Sequence, residues 1–290
     1  KIKEIMLPMI FGSSVTQINM IFDTVIASFL ITGSIGWLYM SDRFVELPLA
    51  LFGISIATVM LPKLSDYFNR SNIDAYNRTL NWGLKLGILI SFPTMFGLII
   101  LSDPILITLL KYKEFTLNDV YMTSIALIAF SIGLPGMIGS KILITNYYSR
   151  KDTKYPVKAA LIAVLCNFVL NIAFVIYLVK TDFNGAHIGL AVATSLSAYV
   201  NFFFLFKNAV KTKIFNMDQD IVFYILKSVI ATIVMSAFLL YFDLSKQAWM
   251  DYELLERVMN LFLLIIFSSL IYFAFLYLFN IKPKNIKEQL

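Results

Sequence analysis

Eight apolar runs divide this chain, at about 5 to 31, 36 to 62, 80 to 101, 119 to 146, 156 to 179, 185 to 207, 220 to 242 and 257 to 281. A helix needs roughly 20 apolar residues to cross a bilayer. Each run therefore predicts a spanning helix, and the pattern as a whole predicts an all-α, polytopic membrane helix bundle of eight transmembrane helices.

The second run, GWLYMSDRFVELPLALFGISIATVMLP at 36 to 62, departs most from a plain apolar span. It carries Asp42, Arg43 and Glu46, and each charge costs about 2.5 to 3.5 kcal/mol at the bilayer centre. At 100° per residue Tyr39, Asp42, Arg43, Glu46, Leu49, Ala50, Gly53 and Ala57 share one side, so this polar, small-residue face is expected to look into a wet cavity or onto partners. Pro48 withholds a backbone donor from the carbonyl of Phe44, which predicts a disturbance of the helix there.

Polar residues in the other spans add candidate chemistry. Span one has Ser13, Gln17, Thr24 and Ser28 on one side and Asn19 and Asp23 on another, so it should be packed inside the bundle. Asp23 is deep, either a neutralised structural carboxyl or a functional one. Asn167 and Asn171 lie one turn apart in span five, and Thr194, Ser197 and Asn201 follow similar spacing in span six. Oxygen donors so placed, with a carboxylate such as Asp23, suit a hard monovalent cation. The alternative use is interhelical hydrogen bonding. Lys141, in the glycine-rich fourth span with Gly133, Pro135, Gly136 and Gly139, either snorkels or presents a cation to the cavity of Arg43.

Four further expectations concern the span ends. LPKLSDYFNRSNIDAYNRTLNWG reads as a basic amphipathic helix-turn-helix lying at the interface, with Lys85 snorkelling. Ser102 or Asp103 is expected to cap a short interfacial helix opened by Pro104. His187 reads as a solvated loop residue. The last two spans, Lys227 aside, read as having no polar face and as contacting lipid or a lipid-like chain.

Composition narrows the class. With 59% hydrophobic and 14% charged residues, the chain is neither an ordinary soluble domain nor a disordered one. The net charge of +6 is spread in short basic clusters between spans, which fits anionic lipid headgroups and discounts nucleic acid. Cys166 is the single cysteine, so no disulfide framework or cysteine metal site is expected. No signal-peptide cleavage pattern precedes the first run, and the chain opens on Lys1, which suggests a fragment. Lys1, Lys3, Lys63, Arg70, Arg78, Arg150, Lys151, Lys154, Lys158, Lys207, Lys211, Lys213, Lys282, Lys284 and Lys287 fall on one side of the predicted topology. Only Lys111, Lys113, Lys180, Lys246 and Arg257 fall on the other, so both chain ends are expected in the cytoplasm. Nucleotide loops, HExxH, cysteine pairs and nucleophile elbows are missing, and no enzyme is expected.

The segments QINMIFDTVIASFLITGSIGWLYMSDRFVELPLALFGISIATVMLPKLS at 17 to 65, YNRTLNWGLKL at 76 to 86 and YYSRKDTKYPVK at 147 to 158 resemble the C-terminal part of the lipid II flippases of the MurJ (MviN) family, within the multidrug/oligosaccharidyl-lipid/polysaccharide exporter superfamily. The resemblance implies a fourteen-helix transporter of the bacterial inner membrane. Residues 1–210 would be its second six-helix lobe, and residues 211–290 two terminal helices forming a groove for the polyprenyl tail. The N-terminal lobe would be missing from this chain. The implied partner is lipid II, the undecaprenyl-diphosphate-linked peptidoglycan precursor, flipped to the periplasmic leaflet by alternating access.

Residue by residue, the resemblance implies that Arg43 binds the diphosphate, with Glu46 an acidic neighbour important to function; the residue pattern adds Asp42 and Lys141 to the candidate substrate-binding group. The resemblance further implies that Asp23, Asn167, Asn171 and Thr194 form a candidate sodium site. Asn171 stands where a relative can carry a carboxylate. Lys113 stands in an outer loop where the family usually has a small residue. Beyond a possible sodium ion, no cofactor is expected. The competing readings are a cation-coupled drug or metabolite antiporter of the same superfamily and a membrane scaffold whose charges are structural pairs.

Overall fold

The computed structural model describes residues 17–181, 183–212 and 215–281, and these contain helices and no strand. Helix α1 covers 17–28. It is followed by α2 (Ser34–Pro48), a π-helical turn (Leu49–Ile54), α3 (Ser55–Asn69), α4 (Ile73–Ile100), α5 (Ser102–Leu110), α6 (Leu117–Ile132) and α7 (Leu134–Tyr148). Then come α8 (Lys154–Lys180), α9 (Ile188–Lys211), α10 (Ile221–Leu240), α11 (Lys246–Asp251) and α12 (Leu254–Leu278).

Six helices are long and apolar enough to cross a membrane, and a seventh span appears if α6 and α7, bent by 43°, count as one. These match seven of the eight expected runs. Of the first run, only residues from 17 onward are described, and Ser13 lies outside the described residues, as do Lys1, Lys3, Lys213, Lys282, Lys284 and Lys287.

The π-helical turn begins directly after Pro48. Proline offers no amide hydrogen to the Phe44 carbonyl, and a widened turn relieves the mismatch that follows. The α6–α7 break falls at Gly133 and Leu134, with Pro135 in the first turn of α7, where its missing N–H costs no helical bond.

The expected interfacial helix-turn-helix is not a separate element. Segment Ser34–Asn69 runs on as one span, and α4 starts after a three-residue turn in which Ser71 takes φ 57°. The Asn72 side chain then accepts from the Ala75 amide as an N-cap.

Two other expectations are corrected here. The helix α5 begins at Ser102 without a side-chain cap, because Ser102 donates instead to the Ile99 carbonyl and Asp103 pairs with Lys246 at 3.7 Å. Lys85 does not snorkel; it is 5% exposed and meets Asp218 at 2.8 Å. A buried ammonium needs a counter-charge, and the segment before α10 supplies one.

The core lies where α3, α4 and α7 meet, with α9 against α7 and α8, and α2 against α6. Met60, Leu64, Leu80, Ile138, Ile142 and Leu143 are completely enclosed there. The α10–α12 pair attaches through α4.

Candidate transport site

Helix α2 buries Trp37, Ser41, Val45 and Pro48 and leaves the face of Tyr39, Arg43 and Glu46 uncovered. That spacing is the one the sequence pattern predicts. On this face Arg43 Nη1 donates to Glu46 Oε2 at 2.5 Å, one turn along the helix. The guanidinium also lies over the Tyr39 ring, 4.7 Å from its centroid. Both charged side chains remain about half exposed, at 47% and 52%. A guanidinium so held is positioned without being consumed: one nitrogen is engaged by Glu46, and the rest of its planar fork has the geometry that matches phosphate oxygens. Asp42, half-buried next to them, interacts electrostatically with both Arg43 and Glu46.

The second group joins three helices. Asn171 of α8 donates from Nδ2 to Asp23 Oδ1 of α1 at 2.6 Å and to Asn167 Oδ1 at 2.8 Å. Asn167 Nδ2 donates to Thr194 Oγ1 of α9 at 3.2 Å, and Asn19 Nδ2 reaches Asp23 Oδ2 at 3.2 Å. Asn167 and Asn171 are 1% and 0% exposed. The four residues Asp23, Asn167, Asn171 and Thr194 thus come together. Asn171 Oδ1, which is buried, finds no partner in the protein. The other oxygens of the group accept amide hydrogens, so the arrangement is an interhelical hydrogen-bond network in which Asn171 Oδ1 alone is left to accept from, or coordinate, a further group. The carboxylates of Asp23 and Asp42 are within Coulombic reach of each other, which links the two groups.

Lys141 is exposed on α7, and no hydrogen bond or ion pair among the described residues joins it to Arg43, Asp42 or Glu46. The polar group on α2 is therefore Tyr39, Asp42, Arg43 and Glu46. Tyr39 was legible as a member of the polar face and not as a partner of Arg43.

A third feature is an apolar cavity of about 930 Å³. It runs along α4 from Trp82 to Leu101 and is faced by α12 through Ile265, Tyr272 and Leu276. From α10 only Met235 reaches it, and Phe52 of the π-helical turn closes one side. Nineteen residues separate Trp82 from Leu101, about 29 Å of helix at 1.5 Å per residue, comparable with the hydrocarbon thickness of a bilayer.

The expectation that the last two spans lack a polar face is overturned. Ser228, Thr232 and Ser236 form a stripe along α10, 0%, 1% and 9% exposed, and Ser268 and Tyr272 answer it from α12. Tyr272 donates to the Leu89 carbonyl of α4 at 2.6 Å and meets Ser228 Oγ at 2.9 Å. Hydroxyls spaced by four residues carry too little weight against sixteen apolar neighbours for hydropathy to reveal them.

A family model described as "Lipid II flippase MurJ" matches residues 1–260. The chain belongs to the lipid II flippase MurJ family. It is 39% identical over 287 residues to the "Probable lipid II flippase MurJ" of Vibrio cholerae serotype O1, covering 99% of this chain and 53% of that protein. The Haemophilus influenzae protein of the same description is 37% identical over 292 residues, covering 99% of this chain and 56% of its own length. Among solved structures, "Lipid II flippase MurJ, inward closed conformation" aligns with a TM-score of 0.75 and 31% identity, over 94% of this chain and 53% of that one. An outward-facing multidrug resistance MATE family transporter shares the fold at TM-score 0.60 and 17% identity, over 80% of this chain and 52% of its own. The chain spans about half the length of the curated MurJ relatives it matches.

The segments that resembled MurJ have visible structural work. From YNRTLNWGLKL, the Tyr76 hydroxyl lies 2.9 Å from the Asn146 carbonyl and 2.9 Å from Ser149 Oγ, tying α4 to the end of α7. From YYSRKDTKYPVK, Tyr147 donates to the Leu205 carbonyl at 2.6 Å and stacks on Tyr155. Lys113, at the position where the resemblance implied a small residue, takes a left-handed φ of 48°. That conformation is free for glycine and costs other residues roughly 1 kcal/mol.

His187 was expected in solvent and is 0% exposed. Its Nε2 lies 2.8 Å from the Met122 carbonyl, and its ring packs 5.2 Å from that of Trp37. Trp37 in turn donates to Asp119 at 2.8 Å. The loop before α9 folds inward because α2 and α6 present an aromatic wall and a carbonyl to it, and neither is visible next to His187 in the sequence.

Proposed function

We propose that this chain forms part of a flippase that carries lipid II from the cytoplasmic to the periplasmic leaflet of the bacterial inner membrane by alternating access. The observation that carries the reading is the Arg43–Glu46 pair on an uncovered face of a membrane-spanning helix. A fixed guanidinium there serves a diphosphate, which arrives, takes the free donors of Arg43 and competes with Glu46 for the rest. The apolar cavity between α4 and α12 supplies the place for the polyprenyl chain. Asp42 tunes the group by its charge. Lys141 has no part in it in the arrangement seen here, and it reaches the cavity only if α7 moves, as the break at Gly133 permits.

Asp23, Asn167, Asn171 and Thr194 would be the residues that hold a sodium ion, with Asn171 Oδ1 as the acceptor that has no other partner. A sodium ion held there would supply a positive charge whose movement down its own gradient could drive transport, and the residues that would hold it lie where α1, α8 and α9 meet. The partner lobe and the opposite half of the cavity are placed on the half of the relatives' length that this chain does not match. The positive clusters at Lys63, Arg70, Arg78 and Arg150 support a topology with their end of the bundle toward the cytoplasm.

The antiporter reading is favoured by the Asp23–Asn171 group alone and gives Arg43 no task. Complementation separates the two. In cells depleted of their own flippase, the full-length protein should restore growth. Arg43→Ala should fail despite normal expression, and Arg43→Lys should rescue poorly, because an ammonium cannot reproduce the planar fork. Growth supported by Arg43→Ala overturns the diphosphate role.

A further inference from the structure

Asn77, Asn81 and Lys85 lie four residues apart along α4, and each side chain makes a polar contact with the segment just before α10. Asn77 Oδ1 accepts from the Asn216 amide at 2.9 Å. Asn81 donates from Nδ2 to the Asn216 carbonyl at 2.8 Å and accepts at Oδ1 from the Asp218 amide at 3.0 Å. Lys85 Nζ then meets the Asp218 carboxylate at 2.8 Å and lies 5.1 Å from the centre of the Tyr224 ring. Asn81 is 1% exposed and Lys85 5%. Four polar contacts from three residues on one helical stripe to two backbone residues and one carboxylate form a docking rail.

We propose that this rail is a positioning device for the lipid-tail cavity: it fixes where α10 starts against α4 and so sets how far α12 stands from α4 across the cavity. The inference rests on the tail-site reading given above. Three observations support it. The cavity's two long walls belong to α4 and α12, and α10 lies between those helices. The three helices are pinned again at mid-length by Tyr272, Ser228 and the Leu89 carbonyl. Lys85 sits one turn from Trp82, where the cavity begins. Its ammonium is also costly to bury, and a cost sustained inside the protein is offset only while Asp218 stays in place. If the linker undocks, Lys85 loses its partner and α10 loses its reference point. Asn77, Asn81 and Lys85 act through α10, and none of them lines the cavity.

The test is chain-length selectivity in the purified full-length protein, using undecaprenyl phosphate and farnesyl phosphate as probes. They share one phosphate and differ in the apolar chain. Wild type should bind the long probe at least about tenfold more tightly, since each buried methylene contributes severalfold. Lys85→Met and Asn81→Leu should reduce that ratio by about tenfold or more while leaving the affinity for farnesyl phosphate within about twofold, and Lys85→Glu with Asp218→Lys should restore the ratio. If Lys85→Met does not accumulate, Asp218→Asn, whose side chain is 46% exposed in the parent, takes its place. An unchanged ratio in these variants, or equal losses for both probes, overturns the positioning role and leaves the flippase reading standing. A wild-type protein without preference for the long probe overturns the tail site itself.

Discussion

Asn171 Nδ2 lies 2.6 Å from Asp23 Oδ1, a hydrogen bond that joins α8 to α1 across 148 positions of sequence and leaves the amide oxygen of Asn171 without a partner. Interhelical glue and a cation site share this geometry, and they differ in what sodium does to stability. A bound ion stabilises the folded state by RT ln(1 + [L]/Kd), so the melting temperature should rise with sodium at constant ionic strength and stay flat with choline. Asp23→Asn keeps the hydrogen-bonding shape and removes the charge, so it should abolish the sodium-dependent rise. Equal melting curves in sodium and choline for the wild type would mean that the group is glue. Asn171→Asp, which adds a second carboxylate to the group, should shift the sodium response to lower concentrations.

The enclosed His187 makes a pH prediction with a definite sign. Burial lowers its pKa below the ordinary histidine value, an effect only partly countered by the Met122 carbonyl, and Nδ1 is buried without an acceptor. The charged group nearest in the same contact chain, Asp119, is held by Trp37 and by Thr116. A group with a depressed folded pKa binds more protons when unfolded. His187 therefore leaves stability intact above its ordinary pKa, about 6.5, and reduces it as pH falls below that value. The melting temperature of wild type should drop more steeply than that of His187→Gln between about pH 7 and pH 5. Parallel slopes would show that another group controls the acid response. Trp37 fluorescence gives a local readout, since the imidazole lies against its ring.

The bend between α6 and α7 depends on close contact with α9. A Cβ at Gly133 would lie 2.8 Å from the Ser195 Cα, a backbone atom that cannot step aside. Gly133→Ala should therefore destabilise by about 1–3 kcal/mol, as overpacking does, read as a lower melting temperature. At Gly36 a Cβ meets nothing within 4 Å, so Gly36→Ala, inside α2, should be neutral or slightly stabilising. If both substitutions behave alike, the seam is looser than its geometry indicates.

Much of the architecture was legible because it rests on local properties. Apolar run length marks spans, Pro48 and Gly133 mark the disturbed turns, and the spacing of Tyr39, Arg43 and Glu46 fixes their common face. The sodium-ligand candidates were legible from polar residues at turn spacing, though not which amide hydrogen goes where. Lys85 and His187 were misread for one reason. Each is a polar residue near a span end, and local pattern assigns such residues to solvent, whereas Asp218, 133 positions away, and the Met122 carbonyl, 65 positions away, bring them inside. The serine and threonine stripe of α10 escaped notice because hydroxyls barely alter a hydropathy average.

The sequence by itself therefore determined that the chain is a bundle of membrane-spanning helices, and which face of α2 carries charge, because bilayer thickness and helical periodicity act on contiguous residues. Only the tertiary structure decided that Asp218 meets Lys85, that Asp23 meets Asn171, and that α4 and α12 flank an apolar cavity. Those contacts depend on how helices distant in sequence pack, and the buried polar groups that specify the packing find their partners only once it has formed.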